Sequence, residues 1–114
     1  MSYFVVINEQ GSSWVEARSM RDQDGWTEHA AFVNSLMRTG FVILGGPIGT
    51  GHPHRAMLVV VSKDEETVRQ RLMEDPWMRT GILHLQRVES WNILVSQDSL
   101  DPLLARFDTS PSSK

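Results

Sequence analysis

The chain carries four histidines, His29, His52, His54 and His84, and no cysteine. Thiol nucleophiles, thiolate-held zinc, iron–sulfur clusters and disulfides are therefore excluded. Imidazole is left as the side chain best suited to move a proton near neutrality. His29 is the first candidate. It stands near the start of a helix-periodic stretch, in line with Phe32, Val33 and Leu36, so a helix there turns it inward. Two readings fit: a core histidine satisfied by one hydrogen bond, or a cleft histidine that exchanges protons. A helix N-terminus disfavours imidazolium and a neighbouring carboxylate favours it, so a histidine held between the two can serve as acid and base. Asp75 is the candidate carboxylate. Asp75-Pro76-Trp77 also has the form of an N-cap followed by an N1 proline. The two roles are compatible, because one carboxylate can cap a helix and accept from an imidazole N–H. His29 and Asp75 form the candidate catalytic pair.

Weaker candidates surround that pair. Trp14, Arg18, Arg21, Asp24 and Trp26 lie in one long connection and suggest a lid, with an arginine clamping a substrate carboxylate and indoles covering a ring. The competing reading is a loop pinned by two tryptophans. Trp14, Arg18, Trp26, Gly45, Gly46, Trp77 and His84 are the candidate substrate contacts. His52-Pro53-His54 reads as a surface turn and not as a metal pair, since the proline splays its neighbours and no third ligand is evident. The glycines of residues 45–51 have the wrong spacing for a dinucleotide fingerprint and open a strand, and no G-x-S-x-G elbow is present. No metal or cofactor is called for.

The elements that must position these residues follow from pattern. Residues 3–8 read as a strand, and residues 9–25 as a 17-residue connection without sustained periodicity. A helix runs from about Trp26 to a stop at Gly40, followed by strands over 41–44 and 56–61. Ser62 and Glu65 suggest a capping box for a second helix that ends near Asp75, before Pro76. A long last strand covers about 82–95. Asp101-Pro102 opens a short C-terminal helix, and 109–114 is a loose tail. The order β-α-β-β-α-β is that of an α+β ferredoxin-like fold, a four-stranded antiparallel sheet with two helices on one face. It gathers Asn8, the 9–25 connection, all four histidines, Gly45-Gly46, Asp75 and Trp77 at one end. The first three strands are apolar at both parities, as in strands covered on both faces. Exposing about six such side chains would forfeit on the order of 10 kcal/mol, so a second copy is expected over the open face.

Composition limits the rest. With 114 residues the chain suits one domain, 1–95, plus the extension 96–114. A formal charge of −3 without a basic cluster argues against nucleic acid as a partner, and no apolar run reaches membrane-spanning length. A cytoplasmic location is expected, since the first residues read as a strand and not as a signal peptide.

Over residues 1–95 the sequence resembles the YCII-related (YciI-like) domain family. The likeness rests on Tyr3-Phe4-Val5-Val6, the run from Gln23 to Phe32, Leu44-Gly45-Gly46-Pro47, Asp75-Pro76-Trp77 and Trp91-Asn92-Ile93. The resemblance implies a ferredoxin-like fold dimerising as an α+β barrel, and a catalytic His–Asp pair that falls on His29 and Asp75. It also implies dehydrochlorinase- or isomerase-like chemistry, as in a relative that degrades chloroaromatics and in the muconolactone isomerases that share the barrel. The expected function is a cofactor-independent lyase, dehydrochlorinase or isomerase acting on a small organic acid. The alternative is a module that binds or senses a small molecule in the same cleft without turning it over.

Overall fold

The computed structural model describes residues 1–100; the expected C-terminal helix at Asp101 and the tail lie outside them. Seven main elements follow one another: β1 (Ser2–Gln10), α1 (Trp26–Arg38), β2 (Val42–Ile48), β3 (Arg55–Ser62), α2 (Glu65–Leu72), α3 (Pro76–Thr80) and β4 (Leu83–Trp91). Short 3-10 turns stand at Met20–Asp22 and Asp98–Leu100. The sheet order is β2-β3-β1-β4 with every pair antiparallel. β1 and β2 therefore run the same way, with β3 between them, which is the ferredoxin-like arrangement.

The sheet is open, which corrects the barrel expectation. β2 pairs only with β3 and β4 only with β1, so two edges remain and the strands do not close on themselves. The edges are kept apart by the two central strands, each step costing about 4.8 Å.

One face of the sheet packs under the helices. Phe4 and Val6 of β1, Leu58 and Val60 of β3, Val42 of β2 and Val88 of β4 meet Leu36 of α1 and Val68 and Leu72 of α2. Strand alternation puts Val5, Val59 and Val61 on the other face. Val59 and Val61 are only 5% and 4% exposed, so much of that face is already shielded within one chain. A second, smaller apolar cluster of Trp77, Ile82 and Leu83, joined by Trp14, Met20, Trp26 and Met78, lies at the end where β1 leaves the sheet.

Several boundaries moved for physical reasons. β2 runs on through Gly45-Gly46-Pro47 to Ile48, because Gly45, Gly46 and Pro47 pair with Leu58, Met57 and Ala56. Proline is tolerated there because β2 is an edge strand. α1 ends as expected, with the Gly40 N–H donating to Met37 and the Phe41 N–H to Leu36, a Schellman closure. The cap of α2 is Asp64, whose Oδ1 accepts from the Thr67 N–H at 2.8 Å; Ser62 is instead the last residue of β3, opposite Ser2. α2 stops at Leu72, and Pro76 begins α3.

Candidate active site

The site grows from two helix starts. Gly25 precedes α1 in the left-handed region (φ +77°), where a side chain would be strained. That turn leaves the Asp24 carbonyl free to accept from Trp77 Nε1 at 2.7 Å. His29 comes one turn into α1, its N–H donating to the Gly25 carbonyl. Asp75 caps α3, with Oδ1 accepting from the Trp77 N–H at 2.9 Å. The same carboxylate meets His29 Nδ1 at 2.9 and 2.8 Å through its two oxygens. Capping and pairing thus coexist in one side chain. Asp75 is buried and His29 nearly so, with side-chain exposures of 5% and 13%.

Trp77 fixes the ring plane. Its indole, 1% exposed, stacks on the His29 imidazole at 3.9 Å and 6°. Trp26 packs against both rings, at 5.8 Å from His29 and 5.7 Å from Trp77. With Nδ1 committed to Asp75, no protein group among the described residues bonds to His29 Nε2. That nitrogen is left for whatever enters the adjoining cavity.

The cavity, about 370 Å³, runs between α1 and the sheet. His29, Asp75, Trp26 and Trp77 line one side, and Asn8, Ala56 and Leu58 come from β1 and β3. Gly45, Gly46 and Pro47 contribute from β2. At Gly45 a Cβ would come within 2.4 Å of Leu58 Cδ2, so that glycine keeps β2 against β3. At Gly46 a Cβ would meet nothing within 4 Å.

The sequence candidates divide cleanly. His29, Asp75, Trp26, Gly45, Gly46 and Trp77 come together at the cavity. Trp14 stands behind it, stacked on His54 at 4.4 Å and edge-on to Trp77 at 6.1 Å. Arg18 does not line the cavity; it pairs with Asp24 at 3.1 Å on the surface. Arg21 lies over the outer part of Trp26, 5.6 Å from the ring centre. His84 is half out in solvent beside Glu9 at 3.3 Å. Among the described residues no Lys or Arg lines the cavity, so Arg18 and Arg21 do not form the clamp expected for a carboxylate.

Three further polar residues stand at or behind the site, and none of them was among the candidate substrate contacts. Gln23, 3% exposed, ties the 11–25 connection together: its amide accepts from the Val15 N–H and donates to the Val15 and Arg18 carbonyls. His54 lines the cavity instead of decorating a surface turn, whereas His52 remains outside, paired with Glu16 at 3.1 Å. The Gln10 N–H donates to the His54 carbonyl and the His54 N–H to Gln10 Oε1, which holds His54 beside β1. Burial lowers the pKa of His54, and the charge of a protonated His29 lowers it further. Asn8 is 4% exposed and its Oδ1 has no hydrogen-bond partner. An orphaned buried acceptor of that kind costs about 1–3 kcal/mol. Among the described residues no three His, Asp or Glu side chains are placed to hold a metal ion.

Comparison with known proteins agrees on the fold. The 5-chloro-2-hydroxyhydroquinone dehydrochlorinase of Burkholderia phenoliruptrix, solved in complex with 2,5-dihydroxybenzoquinone, superposes with a TM-score of 0.54 at 21% identity. The match covers 77% of this chain and 92% of that one. The two chains share a fold. No family model matches this sequence, and no curated protein does. Among the described residues no helix is long and apolar enough to cross a membrane.

Proposed function

We propose that the chain is an enzyme that moves a proton on a small organic molecule, with His29 Nε2 as base and acid and Asp75 as the group that orients the imidazole and balances its charge. The observation that carries this reading is the buried His29–Asp75 pair, held by both carboxylate oxygens, with Nε2 unengaged beside a 370 Å³ cavity. A core histidine satisfied by its one partner would need no cavity beside its ring, and His29 lines one.

The reaction class we favour is elimination. Nε2 takes a proton from a ring hydroxyl and returns it to the ring carbon that carries the leaving group, giving a keto tautomer. A second hydroxyl proton then passes to His29, and the electron pair left behind expels the leaving group, such as chloride, to leave a quinone. The proton on His29 then passes to solvent, restoring the base. Isomerisation would use the same two residues, with the proton returned to a different atom. The fold shared with a dehydrochlorinase supports the first version, and that fold together with the sequence motifs supports a place among the YCII-related proteins. We also propose self-association through the sheet face away from the helices. Trp91, 43% exposed and paired with Tyr3, and half-buried Val5 and Met57 supply its apolar surface. Light scattering at micromolar concentration should give twice the chain mass, and a monomer would remove that part.

The activity is tested by chloride release from 5-chloro-2-hydroxyhydroquinone and related chlorinated hydroquinones, for the parent and His29→Gln. Loss of a positioned base typically costs about 10²–10⁴-fold in rate, and that is the expected difference. Equal rates would take His29 out of the mechanism. Saturable binding without turnover in the parent would favour the binding module instead.

A further inference from the structure

The cavity has a second polar pole that the proton-transfer reading does not use. Asn8 lies in β1 on the face that carries Phe4 and Val6, opposite Ala56 of β3. The bond from the Gln10 N–H to the His54 carbonyl extends that ladder by one residue pair beyond Glu9 and Arg55, so His54 falls on the same face as Asn8. Diagonal neighbours of this kind stand roughly 7–8 Å apart. Ala56 between them contributes only a methyl group, and all three residues line the cavity.

Both side chains are unengaged where they could recognise something. Asn8 Oδ1 is buried without a partner, and no protein group among the described residues hydrogen-bonds to the Asn8 amide. Among the described residues the His54 ring is met through its face, by Trp14, and its bonds to Gln10 are made by its own backbone N–H and carbonyl. Buried amides are nearly always paired in a finished fold, and one that is not is usually awaiting water or ligand.

We infer that Asn8 and His54 form a hydroxyl-binding pole that positions the substrate against His29, and that the site takes an uncharged, hydroxyl-bearing ring in preference to a carboxylate. This rests on the His29–Asp75 reading and narrows its substrate class. A hydroxyl can donate to one of the two side chains and accept from the other. A carboxylate would enter a cavity that no Lys or Arg among the described residues lines, with the Asp75 carboxylate already buried in its wall. Burial lowers the pKa of His54, and a protonated His29 lowers it further, which disfavours a compensating cation at this position. This reverses the organic-acid substrate expected from sequence, whose clamp was to come from Arg18 or Arg21, neither of which lines the cavity.

The test compares hydroquinone, phenol and benzoate as ligands by calorimetry, with the parent, Asn8→Val and His54→Phe. The parent should bind hydroquinone about 10-fold more tightly than benzoate, with phenol between them. Asn8→Val should lose about 3- to 10-fold in hydroquinone affinity while its melting temperature holds or rises, because an orphaned buried amide has been removed. His54→Phe keeps the stack on Trp14 and should show a similar loss. Benzoate binding as well as hydroquinone would overturn the inference. So would no hydroquinone binding at millimolar concentration, or an Asn8→Val that melts lower and binds unchanged. Hydroquinone selectivity in a protein that turns nothing over would leave this pole standing and remove the catalytic reading. Carboxylate preference with an active His29 would do the reverse.

Discussion

Asp64 and Asp75 stand beyond the two ends of α2 and perform the same local task, each accepting from the backbone N–H that opens a helix. They differ in everything else. Asp64 is on the surface, bonded within its own turn. Asp75 is buried, and its carboxylate also reaches across to α1 through His29 Nδ1. A capping aspartate becomes part of a candidate active site when the fold places an imidazole opposite it and removes the water. The end of the molecule around Asp75 also holds Asn8, Gln23 and the second apolar cluster, whereas the turns around Asp64 and Thr39 satisfy their polar groups within a few residues.

The comparison is broken most forcefully at Trp77. Its indole closes the apolar cluster, covers the His29 ring and reaches the Asp24 carbonyl. Trp77→Ala should cost about 3–5 kcal/mol in urea unfolding, a large part of a domain's usual ~5–15 kcal/mol. A loss below about 1 kcal/mol would mean that the Asp75 end is not packed as described.

Gly11 comes next. A Cβ there would meet the Gly81 carbonyl oxygen at 2.2 Å, where the connection lies against the turn before β4 through the Gly11–Ile82 and Ser13–Gly81 hydrogen bonds. Gly11→Ala should destabilise by about 2–3 kcal/mol, read as a fall of roughly 8–15 °C in Tm. Gly46→Ala, with open space around the new methyl, should stay within about 0.5 kcal/mol of the parent and serves as its control.

The two aspartates sharpen the contrast directly. Asp75→Ala orphans both the Trp77 N–H and His29 Nδ1 and should cost about 2 kcal/mol or more. Asp64→Ala should lower stability only slightly.

The smallest effect is one of pH. Hydrogen bonds from the Thr67 hydroxyl and backbone N–H, with Lys63 nearby, hold the Asp64 carboxyl below its usual range, against slight desolvation. The folded state therefore binds that proton less readily than the unfolded chain. The contribution is present above the unfolded pKa of about 3.9 and is lost as pH falls through the lower folded value. Asp64→Asn should accordingly differ from the parent at about pH 6 and converge with it near pH 2.5 in urea titrations. A gap that persists in acid would show that the cap acts through something other than its charge.

Much of this arrangement was legible in the sequence because the signals were local. The β-α-β-β-α-β order, the stop of α1 at Gly40 and the Asp75-Pro76 cap rest on periodicity and capping chemistry, and they bring His29 and Asp75 to one end. Long-range pairing hid the rest. β2 continues through two glycines and a proline because β3 lies beside it, and Ser62 is claimed by the strand before it can cap α2. Arg18 and His84 are drawn off by Asp24 and Glu9. The element order brings Asn8 and His54 to that end as well, but only strand register sets them on one face beside the cavity, and no spacing along the chain announces that.

The most direct test of the central claim is the nitrogen spectrum of His29, followed with and without hydroquinone. The account requires a neutral ring protonated at Nδ1, toward Asp75, with Nε2 unprotonated and shifting when the cavity fills, while His52 and His84 stay still. A neutral ring protonated at Nε2, or an Nε2 signal indifferent to saturating hydroquinone, would contradict it.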